Sequence, residues 1–169
     1  MSDRLKLMAL DAEDLSVISS AVQDALVAVH DCAYFKDDKR FVLLVNRFRW
    51  EADREIDSAH SRTHAALVFN DVSAVHHHQM PLSEPDRVLE LLTVASDNPH
   101  SLTLRFAADR AIRLEIGRFA CHLEDVGEPW AHPVEARAPR SLGRGRVGKK
   151  VRRFTNKAHS IGIRGFSPR

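Results

Sequence analysis

The residues best suited to binding a ligand lie in one short block of the chain. Within residues 44–51, polar and aromatic side chains alternate: Asn46, Arg47, Arg49 and Glu51 with Phe48 and Trp50. An arginine holds a carboxylate or phosphate through two parallel hydrogen bonds, so these four polar residues are a candidate ligand-binding site. On a strand, alternation places Arg47, Arg49 and Glu51 on one face and Asn46 with the aromatic residues on the other. In the structural alternative, Arg47 and Glu51 pair with neighbouring strands while the aromatic residues fill the core.

A second segment, residues 51–64, combines acids with histidines: Glu51, Asp53, Glu55, Asp57, His60 and His64. If this segment were helical, Asp57, His60 and His64 would share one face as ligands for a divalent metal. The segment lies between predicted strands, however, and is typical of a solvated loop. No HExxH motif or cysteine pair accompanies it. We therefore predict neither metal nor cofactor, with these three residues as the remaining candidates.

Other patterns associated with metal binding or catalysis are incomplete. On a strand, only His76 and His78 of the triplet at 76–78 would share a face, and two imidazoles need further ligands to hold a metal. The chain has no GxSxG or P-loop motif, and the glycine-rich string 143–148 follows no apolar strand. Cys32 and Cys121 are too few and too far apart for a disulfide framework and are expected to be buried thiols. The sequence leans against an enzyme.

Charge is divided sharply by position. Residues 136–169 contain 11 Lys and Arg and no acid, which leaves 14 basic and 23 acidic residues in 1–135. The body therefore has a formal charge of −9 and the tail one of +11. Such asymmetry predicts a folded domain carrying an arm for an anionic partner, or an arm that lies on its own body.

The tail carries the predicted contacts with nucleic acid: Arg144, Arg146, Lys149, Lys150, Arg152, Arg153, Phe154 and Lys157. Cations bind phosphates by releasing condensed counterions, and an aromatic ring stacks on unpaired bases. Gly-Arg segments suit single-stranded RNA better than a duplex groove. The alternatives are an acidic protein as partner, or a tail held against the acidic body.

The elements that must position these residues are one helix and many strands. Leu15, Ile18 and Val22 share an apolar face, which predicts a helix capped by Asp11 or Asp14 and ending near Gln23. Strands are predicted at 5–10, 25–29, 32–35, 41–50, 63–69, 72–80, 102–106, 111–116 and 119–123. Turn residues join 32–35 to 41–50, 63–69 to 72–80, and the last three strands to one another, while 85–95 suits a short helix running into a strand. Short links imply antiparallel pairing.

The predicted fold class is α+β, with one N-terminal helix on a curved antiparallel sheet or partly closed barrel. We place an α+β domain at residues 1–134 and a basic Gly/Arg-rich tail at 135–169. Disorder is the default for that tail because it has little apolar surface to bury. No run of 18 apolar residues and no signal peptide is present, so we expect a cytoplasmic protein that does not enter a membrane.

Several strings resemble one family. They are Asp11–Leu15, Gln23–Ala25, Leu44–Glu51, Val88–Leu92, Leu123–Gly127 and Pro129–Trp130. Together, over about residues 5–130, they resemble the bacterial family catalogued as domain of unknown function 2948, found mainly in alphaproteobacteria. The resemblance implies a cytoplasmic bacterial protein and brings no activity, cofactor or catalytic residue.

Two functions of different classes remain, besides a structural oligomer that pairs through an exposed sheet edge. The first is a non-enzymatic binding or adaptor module whose tail contacts RNA, another polyanion or an acidic protein. The second is a small enzyme or metal-binding protein that uses the loop at 51–64. The sequence leaves the oligomeric state open.

Overall fold

The computed structural model describes residues 4–52, 61–131 and 164–165 of the 169-residue chain. The metal candidates Asp57 and His60 lie outside these residues. So do all eight tail residues predicted to contact nucleic acid, from Arg144 to Lys157.

The described residues form one α-helix and twelve strands. The helix α1 spans Ala12–Ala21, and two single-turn 3₁₀ helices span Val29–Asp31 and Trp50–Ala52. The strands are β1 (Lys6–Ala9), β2 (Ala25–Ala28), β3 (Cys32–Phe35), β4 (Arg40–Phe48), β5 (Ser61–Phe69), β6 (Val72–His78), β7 (Val88–Asn98), β8 (Ser101–Phe106), β9 (Arg110–Ile116), β10 (Cys121–Asp125), β11 (Trp130–Ala131) and β12 (Arg164–Gly165). The α+β class is confirmed, and the ambiguous stretch 85–95 is strand from Val88 onward rather than a helix running into a strand.

The strands make one sheet in the order β1-β10-β5-β4-β2-β7-β8-β9-β6-β12, with β11 beside β5 and β3 beside β4. Among the described strands every pairing is antiparallel except that of β12 with β6. The two ends of this order are not paired, so the sheet is open rather than a closed barrel.

The links between strands show that the sheet is strongly curved. Only Asn70 and Asp71 separate β5 from β6, so the ends of these strands lie within about 11 Å of each other. Along the sheet order, β6 is six positions from β5, which would be about 29 Å in a flat sheet. The sheet must therefore curl to bring these two strands together.

Two predicted hairpins are wrong for a related reason. The turn at Asn70-Asp71 and the turn at Gly117-Arg118 do not join paired strands, because β5 and β10 lie in one half of the sheet and β6 and β9 in the other. These two crossovers contact each other: Gly117 N donates to Asp71 O at 3.0 Å, and Asn70 N donates to Ala120 O at 2.8 Å. A Cβ on Gly117 would lie 2.5 Å from Asp71 Oδ2, so any larger residue at this position would require the Asp71 side chain to move.

Helix α1 begins as predicted. Asp11 Oδ1 accepts a hydrogen bond from Asp14 N at 2.8 Å, and Asp14 Oδ2 accepts one from Leu10 N at 3.1 Å. The helix packs its apolar face into the core and contacts β1, β7 and β10. Ser19 Oγ also accepts a hydrogen bond from Val94 N at 2.9 Å, which ties the helix to β7. Within the described ranges, no helix has the length and apolar character needed to cross a membrane.

Candidate anion-binding groove

Arg47, one of the four candidate ligand-binding residues, is fully buried. It follows Phe41, Leu43 and Val45 on the inward face of β4, and all three of these are core residues. Its Nε and Nη2 atoms donate to the carboxylate of Asp125 at 2.9 and 2.8 Å.

The remaining donors of Arg47 are also used within the chain. Nη1 and Nη2 donate to the carboxylate of Glu51 at 3.1 and 2.7 Å, and Nη1 donates to Phe48 O at 3.0 Å. A guanidinium has five N–H groups, and these contacts account for all five. Arg47 has no donor left for a ligand, so its role here is structural.

Asp125 completes this buried cluster, and the sequence reasoning missed it. It lies on β10, which is separated from β4 by β5, so Arg47 reaches across one strand to meet it. Its Oδ2 atom also accepts a hydrogen bond from Leu5 N at 3.0 Å, and its own N donates to Leu5 O. One carboxylate therefore links β4, β10 and the start of β1.

Phe48 and Trp50 do not fill the core, which corrects the alternative in which these two aromatic residues pack there. Trp50 is 42% exposed, and Phe48 is half-buried on the outer face of β4. The guanidinium carbon of Arg62 lies 3.6 Å from the centre of the Phe48 ring, a cation–π contact. Arg62 also donates to Asn46 Oδ1 at 3.2 Å.

The four predicted ligand-binding residues are thus divided. Arg47 and Glu51 meet in the buried cluster, while Asn46 lies on the opposite face with Arg62. Arg49 Nε is buried and has no hydrogen-bond partner among the described residues. The block does not form one ligand-binding strip.

Glu51 is held in its charged form by Arg47. Burial alone would raise the pKa of Glu51, but the hydrogen bonds and charge of Arg47 outweigh it and lower that pKa below its ordinary value of 4.5. The charge of Arg49 acts in the same direction. A lowered folded-state pKa means that Glu51 contributes stability above about pH 4.5, and that this contribution is lost as the pH falls through the lowered value.

We therefore expect Glu51→Gln to reduce the loss of stability on acidification. The free energies of unfolding of the two proteins should differ most above pH 4.5 and converge at lower pH. Urea unfolding between pH 7 and pH 3 would measure this. Glu124→Gln is the matched control, because within the described ranges the Glu124 side chain forms only an exposed pair with Lys6 at 3.5 Å. A constant difference at every pH would contradict the role of the Glu51 charge.

The three described histidines that were considered for metal binding contact acids and an aromatic ring. His76 Nε2 lies 2.8 Å from Glu115 Oε1, and His78 Nε2 lies 3.6 Å from Asp109 Oδ2. The ring of His64 packs on that of Trp130 with the centroids 4.7 Å apart. Among the described residues, no group of three His, Cys, Asp or Glu is placed to hold a metal.

Both cysteines are free thiols in poorly solvated surroundings. Cys121 is buried and Cys32 is partly buried. Desolvation raises the pKa of each thiol to about 12, so neither is a reactive thiolate near neutral pH.

A polar groove of about 550 Å³ lies on the outer face of β7, β8 and β9. Three arginines line it, Arg105, Arg110 and Arg113, together with Asp97 and Asp109. Strand register places Arg105 opposite Ala111, and Ala111 is in turn opposite His78. Because Ala111 is small, it leaves space between the longer side chains on either side.

Two of these arginines have unused hydrogen-bonding capacity. Arg105 is exposed and forms no ion pair or side-chain hydrogen bond with the described part of the chain. The Nε atom of Arg110 is buried and lacks a hydrogen-bond partner there. Arg113 Nη2 lies 3.9 Å from Glu115 Oε1, at the limit of an ion pair. This arrangement of guanidinium groups suits a bound anion.

Among the acids of the groove, Asp97 is held in place by two hydroxyl groups. Asp97 Oδ2 accepts hydrogen bonds from the hydroxyls of Thr103 and Ser101, the second at 3.5 Å. Asp97 Oδ1 receives no hydrogen bond from the described residues. Asp109, the second carboxylate of the groove, lies 3.6 Å from His78 Nε2 through its Oδ2 atom. The groove therefore presents cationic donors together with two carboxylates, and among the described residues the Oδ1 atom of Asp97 is an unused acceptor.

The edge of the sheet beside this groove is occupied by the tail. Strand β12, Arg164–Gly165, pairs in parallel with β6, opposite His76 and His77. His76 is itself opposite Arg113 on β9, one of the groove arginines. The far end of the basic segment thus runs next to the face that carries the groove.

Comparison with known proteins gives one match. The model of a family described as "Protein of unknown function (DUF2948)" matches residues 5–140. No curated protein and no solved structure matches the chain.

Proposed function

Because the chain belongs to the DUF2948 family, whose description carries no activity, we propose its function from its own residues: a non-enzymatic binding module for RNA. In this proposal the basic tail supplies most of the contacts with the phosphates, and the body carries the tail. We also place the protein in the bacterial cytoplasm, where RNA is abundant.

The observation that supports this proposal is the pairing of β12 with β6. It places Arg164 and Gly165, which belong to the segment with a formal charge of +11, at the edge of the sheet face that holds Arg105, Arg110 and Arg113. The groove has three arginines and two aspartates in a body whose formal charge is −9. An RNA strand lying along the tail would therefore meet further cations on the body rather than repulsion from its acids.

The proposal is tested by removing the tail's charge in the full-length protein. Seven cations lie in the predicted contact segment: Arg144, Arg146, Lys149, Lys150, Arg152, Arg153 and Lys157. Replacing all seven with glutamine should abolish measurable binding of an unstructured single-stranded RNA, followed by fluorescence anisotropy. A chain ending at Val134 should behave in the same way.

Two comparisons make the result decisive. Thermal unfolding of each variant would show that the body remains folded. Polyglutamate serves as a probe for an acidic protein partner. Binding of RNA by the full chain but not by the variants supports the proposal. Equal binding by all three proteins, or tighter binding of polyglutamate than of RNA, overturns it.

A further inference from the structure

The groove beside β6 has a chemistry that goes beyond attraction for a polyanion. A site that bound only phosphate would be expected to present donors alone, because a carboxylate repels an anion. This groove places Asp97, with one unused oxygen, on the same face as Arg105 and Arg113. A matching ligand must carry an anionic group and, at a short distance from it, a hydroxyl or amine that donates to a carboxylate.

Strand geometry sets the spacing of the backbone positions from which these side chains reach into the groove. Thr103, which donates to Asp97, is directly opposite Arg113 and two residues from Arg105 on the same face of β8. Residues two apart on a strand are about 7 Å apart, and directly opposed residues are about 5 Å apart. The separation between a sugar hydroxyl and a phosphate on the same ribose is of this order. The groove volume of about 550 Å³ also lies within the usual range for small-molecule sites.

We propose that this groove binds the ribose phosphate unit of a ribonucleotide. The guanidinium of Arg105 donates to the phosphate, the positive charge of Arg113 on the neighbouring strand adds to the attraction, and a ribose hydroxyl donates to Asp97 Oδ1. Thr103 and Ser101 fix the orientation of Asp97 through its other oxygen. Because a 2′-hydroxyl is present in RNA and absent from DNA, this contact would distinguish the two.

The test is a calorimetric titration of the full-length protein with adenosine 5′-monophosphate and with its 2′-deoxy form. Loss of one hydrogen bond to a charged acceptor should make the deoxynucleotide bind about tenfold more weakly. Arg105→Met should weaken both nucleotides by about 10- to 100-fold. Asp97→Asn should remove most of the preference for the ribonucleotide without weakening the binding of inorganic phosphate.

Arg87→Met is the matched control, because Arg87 is an exposed arginine paired with Glu84 at 3.0 Å, outside the groove lining. It should leave both affinities unchanged. Equal affinity for the two nucleotides, no saturation below about 1 mM, or an equal effect of the Arg87 and Arg105 variants would overturn the proposal.

The same chemistry occurs in a free nucleotide and in one residue of an RNA chain. Displacement of bound adenosine 5′-monophosphate by a short RNA assigns the groove to RNA, and simultaneous binding of both assigns it to the free nucleotide. This site does not depend on the tail. If the tail variants lose RNA but keep the ribonucleotide preference, both proposals are supported. If the full chain fails to bind RNA but shows the ribonucleotide preference, only the groove proposal is supported. If the tail binds RNA and the groove shows no preference, only the proposed function is supported.

Discussion

Replacing Arg47 with methionine is expected to lower the free energy of unfolding by about 3–5 kcal/mol. The substitution leaves the carboxylate of Asp125 buried in the core without its two hydrogen bonds from Arg47. A buried charge that loses its partner bears the full cost of desolvation, which is larger than the net gain from the original pair. The start of β1 should also loosen, because Leu5 is held by the same Asp125. Urea unfolding followed by circular dichroism would measure the change.

The double variant Arg47→Met with Asp125→Leu separates this explanation from simple loss of packing. It removes both central charges, so it should recover a large part of the stability lost in the single variant. Arg40→Met is the control on the same strand, since Arg40 is exposed and bonds only Asn70 Oδ1 at 3.2 Å among the described residues. That control should change stability by less than about 1 kcal/mol. A double variant that loses as much as the two single changes added together would show that the charges are not coupled.

The local elements of this fold follow from the sequence because they depend on neighbouring residues. Asp11 caps α1, and Leu15, Ile18 and Val22 are buried as their spacing predicts. The hairpin of β3 and β4 forms as expected, with Lys39 at a positive φ of 49° in its turn. The hairpin of β8 and β9 also forms as expected, with Ala108 and Asp109 of its turn at positive φ. In each case the signal and the structure lie within a few residues of each other.

The crossovers could not be predicted in this way. A two-residue link with Asn-Asp or Gly-Arg is typical of a hairpin, and nothing local distinguishes it from a link between the two halves of a curled sheet. What distinguishes these links is their contact with each other, through Asp71 and Gly117. That contact joins residues far apart in the sequence, so it is visible only in the folded chain.

The site shows the same division between local and distant information. The inward position of Arg47 follows from its place two residues after Val45 on the face of β4 that also carries Phe41 and Leu43, a pattern visible in the sequence. Its partner Asp125 is 78 residues away and could not be found from spacing. Likewise Arg105 and Arg113 each alternate with buried residues on a predicted strand, but only the register of β8 with β9 places them on one groove.

The affinity of the protein for single-stranded RNA is expected to fall about a thousandfold between 50 and 200 mM salt. Each phosphate neutralised on a single strand contributes about −0.7 to the slope of log K against log salt, so seven engaged tail cations give a slope of about −5. Anisotropy titrations at four or five salt concentrations would measure it. The full-length variant with these seven residues replaced by glutamine should show no measurable binding at any of these salt concentrations.

The slope also reports whether the groove and the tail act on one RNA strand. If the strand continues from the tail across the edge at β6, Arg105→Met should make the slope shallower by about 0.7, the contribution of one phosphate. Arg87→Met, outside the groove lining, should leave it unchanged. A steep slope that survives replacement of the tail cations would contradict the tail as the source of affinity, because the counterions must then be released by cations elsewhere on the chain. If replacing the tail cations removes the salt-dependent binding while Arg105→Met leaves the slope unchanged, the tail binds RNA alone and the groove serves a separate ligand.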